Sequence, residues 1–173
     1  HYLPNRRSDD LIRKILQDEF TGENTFLIKD PRLSILLPLY LDVFNQSGIK
    51  PVFVICVRNP FEVANSLRKR NNLSQEKSIL LWMDYQLKAE LYSRNMPRIF
   101  VSYLEFLANP VKILTTISDA LGLNLIIDQE TEKSILSFIY PELKHHNLPP
   151  DHPESSKVPA LKEILDLLGH ANL

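Results

Sequence analysis

The sequence is poor in glycine and cysteine. Its 173 residues include four glycines and one cysteine. The glycines, Gly22, Gly48, Gly122 and Gly169, are scattered, so neither a Walker loop nor a GxGxxG nucleotide loop is present. The single cysteine, Cys56, cannot form an internal disulfide. We expect it to be a small core residue of a protein in a reducing compartment.

Charge and hydropathy exclude further classes of function. The formal net charge is −1, whereas nucleic-acid-binding proteins usually carry a clear basic excess. No apolar run reaches the length of a membrane span, and the first residues lack a secretory signal pattern. Although His145 and His146 adjoin each other, no ligand spacing completes a zinc site. We therefore expect one domain, residues 1–173, in the cytoplasm, with no nucleic-acid, membrane or metal partner.

The most informative stretch is residues 51–70, PVFVICVRNPFEVANSLRKR. The apolar run at 52–57 predicts a strand buried on both faces, as in a parallel sheet. Asn59 suits an N-cap and Pro60 the first helical position, and Glu62 stands where a capping-box carboxylate would sit. A helix is therefore predicted over residues 60–70.

Two side chains of this stretch are candidates for binding an anion. Arg58 falls at the carboxyl end of the predicted strand, where open α/β sheets bind ligands. Ser66 follows one turn beyond Glu62, so a guanidinium and a hydroxyl can approach one anion from two sides. The alternative is that Arg58 pairs with a surface carboxylate and Ser66 is an ordinary exposed helix residue.

The flanking sequence alternates between helical and strand patterns, as a parallel α/β sheet requires. Pro38 should kink or break the helix in which it falls. Trp82 and Tyr85 are interpreted as core or groove-lining residues. Strands are predicted at residues 25–29 and 98–103, and helices over 8–20, 32–45, 74–94, 110–121, 131–138 and 156–168.

Residues 51–70 resemble the 3′-phosphate-binding element of the PAPS-dependent sulfotransferases, in which an apolar strand ends in Arg and the following helix carries Ser. The matching residues are Arg58, Asn59, Pro60 and Ser66. The resemblance covers much of residues 25–123, through IKDPRLSILLPLY, LLW and RIFVSYLEFLANP, and is to bacterial sulfotransferase-like proteins. It implies a P-loop-containing sulfotransferase-like fold, a parallel sheet flanked by helices, with Arg58 and Ser66 binding the cofactor.

The resemblance also implies a reaction: transfer of a sulfuryl group from PAPS to a hydroxyl or amine of a small-molecule or glycan acceptor, without a metal. Lys29 matches a lysine of the cytosolic sulfotransferases, and Pro31 matches their catalytic histidine. Because proline cannot be a base, Asp30 is the nearest candidate base, with Lys29 available to stabilise negative charge. Asp before Pro is equally the pattern of a structural helix cap, and the two roles are not exclusive.

One part of the sulfotransferase pattern has no counterpart in this sequence. The family binds the 5′-phosphosulfate with a loop after its first strand, and no segment here looks like that strand and loop. We therefore expect the carboxyl-terminal portion of a complete domain, acting in a larger parent chain or an oligomer, and slow sulfate transfer by this chain alone. The alternatives are a non-catalytic nucleotide-binding or interaction module of the same fold, and a small-molecule kinase, which would need a phosphate loop and usually a magnesium-binding acid.

Overall fold

The computed structural model describes residues 6–139 together with residues 163, 164, 166 and 168. This part of the chain is mixed α/β and mostly helical, with a small parallel sheet flanked by helices. The elements are α1 (Arg6–Phe20), α2 (Leu33–Gln46), β1 (Phe53–Val57), α3 (Pro60–Asn71), α4 (Gln75–Ser93), β2 (Arg98–Ser102), α5 (Tyr103–Ala108), α6 (Pro110–Leu121) and α7 (Gln129–Phe138).

Most predicted helices are confirmed within a few residues of their expected bounds. Helix α2 continues through Pro38 rather than ending there. The predicted final helix is described only at residues 163, 164, 166 and 168, which are helical. His145 and His146 lie outside the described residues. Among the described helices, none combines the length and hydrophobicity that crossing a membrane requires.

The sheet consists of β1 and β2, which are parallel and aligned from Phe53 opposite Arg98 to Val57 opposite Ser102. This confirms the predicted parallel pairing of these two strands. The strand predicted at residues 25–29 is wrong, because that segment has no regular secondary structure. An apolar pattern makes a strand only when another strand is placed to bond with it, and in the described part of the chain β1 pairs with β2 alone.

The two faces of β1 differ in burial. Ile55 is buried, and Phe53 and Val57 pack against the same core. On the opposite face Val54 is 47% exposed and Cys56 is exposed as well. The predictions that this strand is buried on both faces and that Cys56 is a core residue are therefore wrong. Of the described helices, α6 packs against β2, whereas β1 packs mainly against β2 and α4.

The main core lies between the sheet and the pair α3 and α4, which pack against each other. Trp82 of α4 belongs to this core and is only 5% exposed, which confirms a core position for its side chain. A second, smaller cluster joins α1 to α2 through Ile12, Leu39 and Val43. Helix α2 also packs against α4, so α4 connects the two clusters.

Local chemistry at the helix ends fixes the path of the chain around β1. The Asn59 side chain accepts a hydrogen bond from the Phe61 backbone N–H at 2.9 Å, which confirms the predicted N-cap of α3. Ser74 caps α4 in the same way through the Lys77 N–H. Gly122 ends α6 at a φ of 63°, the left-handed conformation that favours glycine. The sharp exit from β1 into α3 places Arg58 at the carboxyl end of the sheet.

Candidate functional site

Arg58 is held between a carboxylate and an aromatic ring. Its Nε donates a hydrogen bond to Oε2 of Glu62 at 2.8 Å, and Glu62 is completely buried. Its guanidinium carbon lies 4.4 Å from the centroid of the Tyr103 ring, close enough for a cation–π contact. The Arg58 side chain is 28% exposed. The side chain is thus partly accessible to solvent, and its two contacts restrict its orientation.

Ser66 lies on the same side of α3 as the contact between Arg58 and Glu62. Glu62 is four residues after Arg58, and Ser66 is four residues after Glu62. Residues four apart on a helix share a face. Ser66 is exposed. Helical spacing therefore puts the Ser66 hydroxyl one turn beyond the carboxylate that Arg58 contacts.

The last turn of α3 adds positive charge to this region. Arg68, Lys69 and Arg70 are all exposed, and the Arg70 Nε donates to Oδ1 of Asn71 at 2.9 Å. Cations in the last turn complement the negative end of the helix dipole, so they do not require a ligand. Since Glu62 offsets the charge of Arg58, these three residues supply the excess positive charge along α3.

Asp30 is bound by its neighbour Arg32. The Asp30 carboxylate accepts the Arg32 backbone N–H at 2.8 Å and the Arg32 Nη2 at 2.5 Å. These two hydrogen bonds, from the side chain first and then from the backbone, lower the pKa of Asp30 to about 2. The carboxylate closes the turn before α2, whose N-cap position is Arg32 rather than Asp30. Lys29, next to it, is exposed.

This geometry favours the structural role of Asp30 over the chemical one. A carboxylate with a pKa of about 2 is ionised at neutral pH, as a base must be. It accepts a proton weakly, however, because an efficient general base has a pKa closer to the working pH. The sequence left open a helix cap or a base; Asp30 is not the N-cap residue of α2, and its carboxylate instead closes the turn before that helix.

Helix α4 connects the Asp30 turn with the end of β1. The Gln86 Nε2 donates to the Cys56 carbonyl oxygen at 3.3 Å. The pKa of Arg32 is raised, mainly by its hydrogen bond to Asp30. Helix α2, which follows the Asp30 turn, packs against the same helix α4.

Two buried polar atoms on α4 lack hydrogen-bond partners within the described part of the chain. They are Nε1 of Trp82, a donor, and Oε1 of Gln86, an acceptor. The two residues are one turn apart, so both atoms lie towards the same side of α4. Sequence reasoning missed Gln86, and the only signal was its spacing from Trp82. Buried polar atoms are normally paired, so these two mark a region that an additional hydrogen-bonding group would complete.

No family model, no curated protein and no solved structure matches this chain. The sulfotransferase resemblance therefore depends on the stretches quoted above and on the geometry around Arg58. Among the described residues there is also no cluster of three or more His, Cys, Asp or Glu side chains that could hold a metal ion.

Proposed function

We propose that this chain is a sulfotransferase-like domain that binds the 3′-phosphate of PAPS through Arg58 and Ser66. One observation supports this most directly. Arg58 follows the carboxyl end of the parallel strand β1, and its bond to Glu62 restricts its orientation. Ser66 lies one helical turn after Glu62 on α3. Ligands of open α/β sheets bind at the carboxyl ends of the strands, so the position suits a nucleotide.

The contacts of Arg58 prepare it for a phosphate. The bond to Glu62 and the stacking on Tyr103 restrict the side chain before any ligand arrives. A guanidinium presents a planar set of N–H donors that matches phosphate oxygens, and a restricted one loses less entropy on binding. Because Glu62 offsets one positive charge, the exposed cations of the last turn of α3 supply the long-range attraction.

The proposed reaction is attack by an acceptor hydroxyl or amine on the sulfur of PAPS. A new bond forms to sulfur, the bond from sulfur to the bridging phosphate oxygen breaks, and adenosine 3′,5′-bisphosphate leaves. Positioning and electrostatic stabilisation supply most of the rate in transfers of this type. Lys29 is exposed and able to stabilise the developing charge. Asp30, with its pKa of about 2, takes up a proton poorly, so the proton that the attacking hydroxyl or amine loses passes to solvent water.

A non-catalytic nucleotide-binding module is the second candidate, and the pairing of Asp30 with Arg32 favours it. A carboxylate committed to a neighbouring guanidinium supports a turn, not proton transfer. The absence of a glycine-rich loop from the sequence also removes the obvious means of holding the 5′-phosphosulfate. The two candidates share the 3′-phosphate site and differ in turnover.

Transfer of labelled sulfate from PAPS to a broad panel of hydroxyl and amine acceptors separates these candidates. We expect turnover lower by about a thousandfold or more than that of an enzyme with a complete phosphosulfate loop, since several kcal/mol of electrostatic stabilisation are missing. Turnover lowered further by Lys29→Ala would support catalysis. Binding of adenosine 3′,5′-bisphosphate without any turnover would support the binding module, and no binding would contradict both.

A further inference from the structure

Trp82 carries a buried hydrogen-bond donor that has no partner among the described residues. Its side chain is 5% exposed, and the donor atom, Nε1, is itself buried. The described buried residues that share a cluster with Trp82 are all apolar, so their side chains offer no acceptor. A buried indole N–H usually has a hydrogen-bond partner. We therefore looked for the group that would accept this bond.

Gln86 carries the complementary atom, a buried acceptor that lacks a donor in the same part of the chain. This atom is Oε1, while Nε2 of the same amide donates to the Cys56 carbonyl oxygen at 3.3 Å. A carbonyl oxygen accepts from the amide nitrogen only, so the bond to Cys56 determines which end of the amide is unpaired. Gln86 is half-buried and Cys56 is exposed, so this amide borders solvent.

Both residues lie towards the carboxyl end of the sheet, the end that carries the proposed phosphate site. Arg98, at the start of β2, donates to the Glu90 carbonyl oxygen at 2.7 Å. Gln86 contacts Cys56, one residue before the end of β1. Helix α4 therefore runs opposite to the two parallel strands, and Trp82, one turn before Gln86, is farther towards their carboxyl ends. Open α/β sheets bind their ligands at this end.

The two unpaired atoms together match an uncharged hydroxyl group. Residues four apart on a helix have Cβ atoms about 5–6 Å apart, so a single oxygen atom is able to bond to both side chains. The Trp82 Nε1–H requires a lone pair, and the Gln86 Oε1 requires a hydrogen. A hydroxyl offers both. A protonated amine offers only hydrogens, and a carboxylate offers only lone pairs.

We propose that Trp82 and Gln86 bind an uncharged hydroxyl group of the acceptor substrate, an assignment that rests on the proposed function. The hydroxyl oxygen accepts the indole N–H, and the hydroxyl hydrogen is donated to the amide oxygen. This selects a neutral hydroxyl over a charged amine as the group that the acceptor presents. Both side chains are neutral and neither takes up nor releases a proton, so their role is recognition.

The single tryptophan makes this site directly observable, because the chain has only one indole N–H resonance. Benzyl alcohol and benzylamine are matched probes, since at neutral pH they differ in carrying a hydroxyl or an ammonium group. We expect benzyl alcohol to shift the indole N–H resonance in a saturable way. Benzylamine should bind at least about tenfold more weakly, because its ammonium leaves the indole N–H without an acceptor.

Gln86→Met tests the second partner, because it removes Oε1 and keeps the length of the side chain. Affinity for benzyl alcohol should fall at least about tenfold. Gln129→Met, at an exposed position on α7, is the matched control and should leave the affinity unchanged. The comparison of the two probes uses the unsubstituted chain, so it does not depend on how the variant folds.

Three results would each overturn the hydroxyl site. They are the absence of a saturable shift with benzyl alcohol, equal affinity for the two probes, and an affinity for benzyl alcohol that Gln86→Met leaves unchanged. Binding of adenosine 3′,5′-bisphosphate, measured on the same samples, separates this failure from that of the proposed function. If the bisphosphate still binds, only the hydroxyl site is wrong, whereas loss of bisphosphate binding by the unsubstituted chain contradicts the proposed function.

Discussion

Glu62 and Arg58 form an ion pair in which the Glu62 carboxylate is buried and the Arg58 side chain is partly exposed. The Arg58 Nε lies 2.8 Å from Oε2 of Glu62, and the two side chains are 28% and 0% exposed, respectively. Burying a carboxylate is costly unless a cation and hydrogen bonds compensate for lost hydration. Arg58 therefore stabilises the protein as well as forming the proposed phosphate site, and experiments must separate the two roles.

Arg58→Ala should lower the free energy of unfolding by about 3 kcal/mol, because it leaves the buried Glu62 carboxylate without its cation. Urea unfolding measures the change. The double variant Arg58→Met with Glu62→Leu should regain most of the lost stability, because no charge then remains buried. A double variant as unstable as Arg58→Ala would show that packing of the Arg58 side chain, not the ion pair, supports this corner.

The helix ends around this site could be predicted from the sequence because their chemistry is local. Asn59, Ser74 and Gly122 each act on backbone groups within a few residues, so the residue type and its neighbours are sufficient. The spacing of Arg58 and Ser66 was readable for the same reason. Pairing of Arg58 with a surface carboxylate was one alternative, but the carboxylate is the buried Glu62, which the sequence suggested as part of a capping box. The contact with Tyr103 was not predicted, because Tyr103 is distant in sequence.

The errors concern features that depend on distant parts of the chain. The apolar pattern of β1 does not reveal whether both faces are covered, and Val54 and Cys56 are exposed. Residues 25–29 have the composition of a strand, but pairing depends on where α2 and α4 place them. Local sequence determines which segments can be extended, whereas tertiary packing determines which of them form a sheet.

Glu90 should make folding stability depend on acid pH. It is buried and accepts hydrogen bonds from Arg94 Nε at 3.0 Å and Arg98 Nη2 at 3.1 Å. The contact with Arg94, followed by that with Arg98, lowers its pKa below the ordinary value. A lowered pKa in the folded state means that the stabilisation is complete above the unfolded-state pKa and is lost as the pH falls through the folded-state value.

Glu90→Gln tests this directly. At pH 7 we expect the variant to be less stable by about 2 kcal/mol, as for loss of a charged hydrogen bond. The difference from the unsubstituted chain should shrink as the pH falls below about 4.5, where the unfolded chain takes up a proton at Glu90. Unfolding curves of both proteins at several pH values measure this difference in stability. A difference that stays constant down to pH 2 would contradict a titrating Glu90.

Asp30 should titrate at an unusually low pH because of Arg32. When the Asp30 carboxyl resonance is followed by NMR as the pH changes, the titration midpoint is expected near the pKa of about 2. In Arg32→Ala the midpoint should return to about 3.9, the ordinary value for aspartate. An unchanged Asp30 midpoint would show that Arg32 does not hold the carboxylate in solution.

Asn59→Ala should lower the free energy of unfolding by about 1 kcal/mol, the usual value for removing an N-cap side chain. The Asn59 side chain accepts the Phe61 N–H, and the substitution leaves that donor without its side-chain acceptor. Asn59→Asp keeps a suitable acceptor at a helix N-terminus and should preserve most of the stability. Thermal unfolding ranks the three proteins. Equal loss in both variants would point to an amide contact other than the cap.

The central claim is that Arg58 and Ser66 bind the 3′-phosphate of a nucleotide. Calorimetric titration with adenosine 3′,5′-bisphosphate and with adenosine 5′-monophosphate isolates that group, because the ligands differ only in the 3′-phosphate. Ser66→Ala is the decisive variant, since Ser66 is exposed and its loss leaves the ion pair with Glu62 in place. Ser134→Ala, at an exposed position on α7, is its matched control.

We expect the bisphosphate to bind more tightly than the monophosphate. Ser66→Ala should weaken binding of the bisphosphate by about 1.5–3 kcal/mol, the range for a hydrogen bond to a charged group. Its affinity for the monophosphate should not change. Ser134→Ala should change neither affinity. Equal affinity of the unsubstituted chain for the two nucleotides, or a bisphosphate affinity that Ser66→Ala leaves unchanged, would contradict a phosphate site at the end of β1.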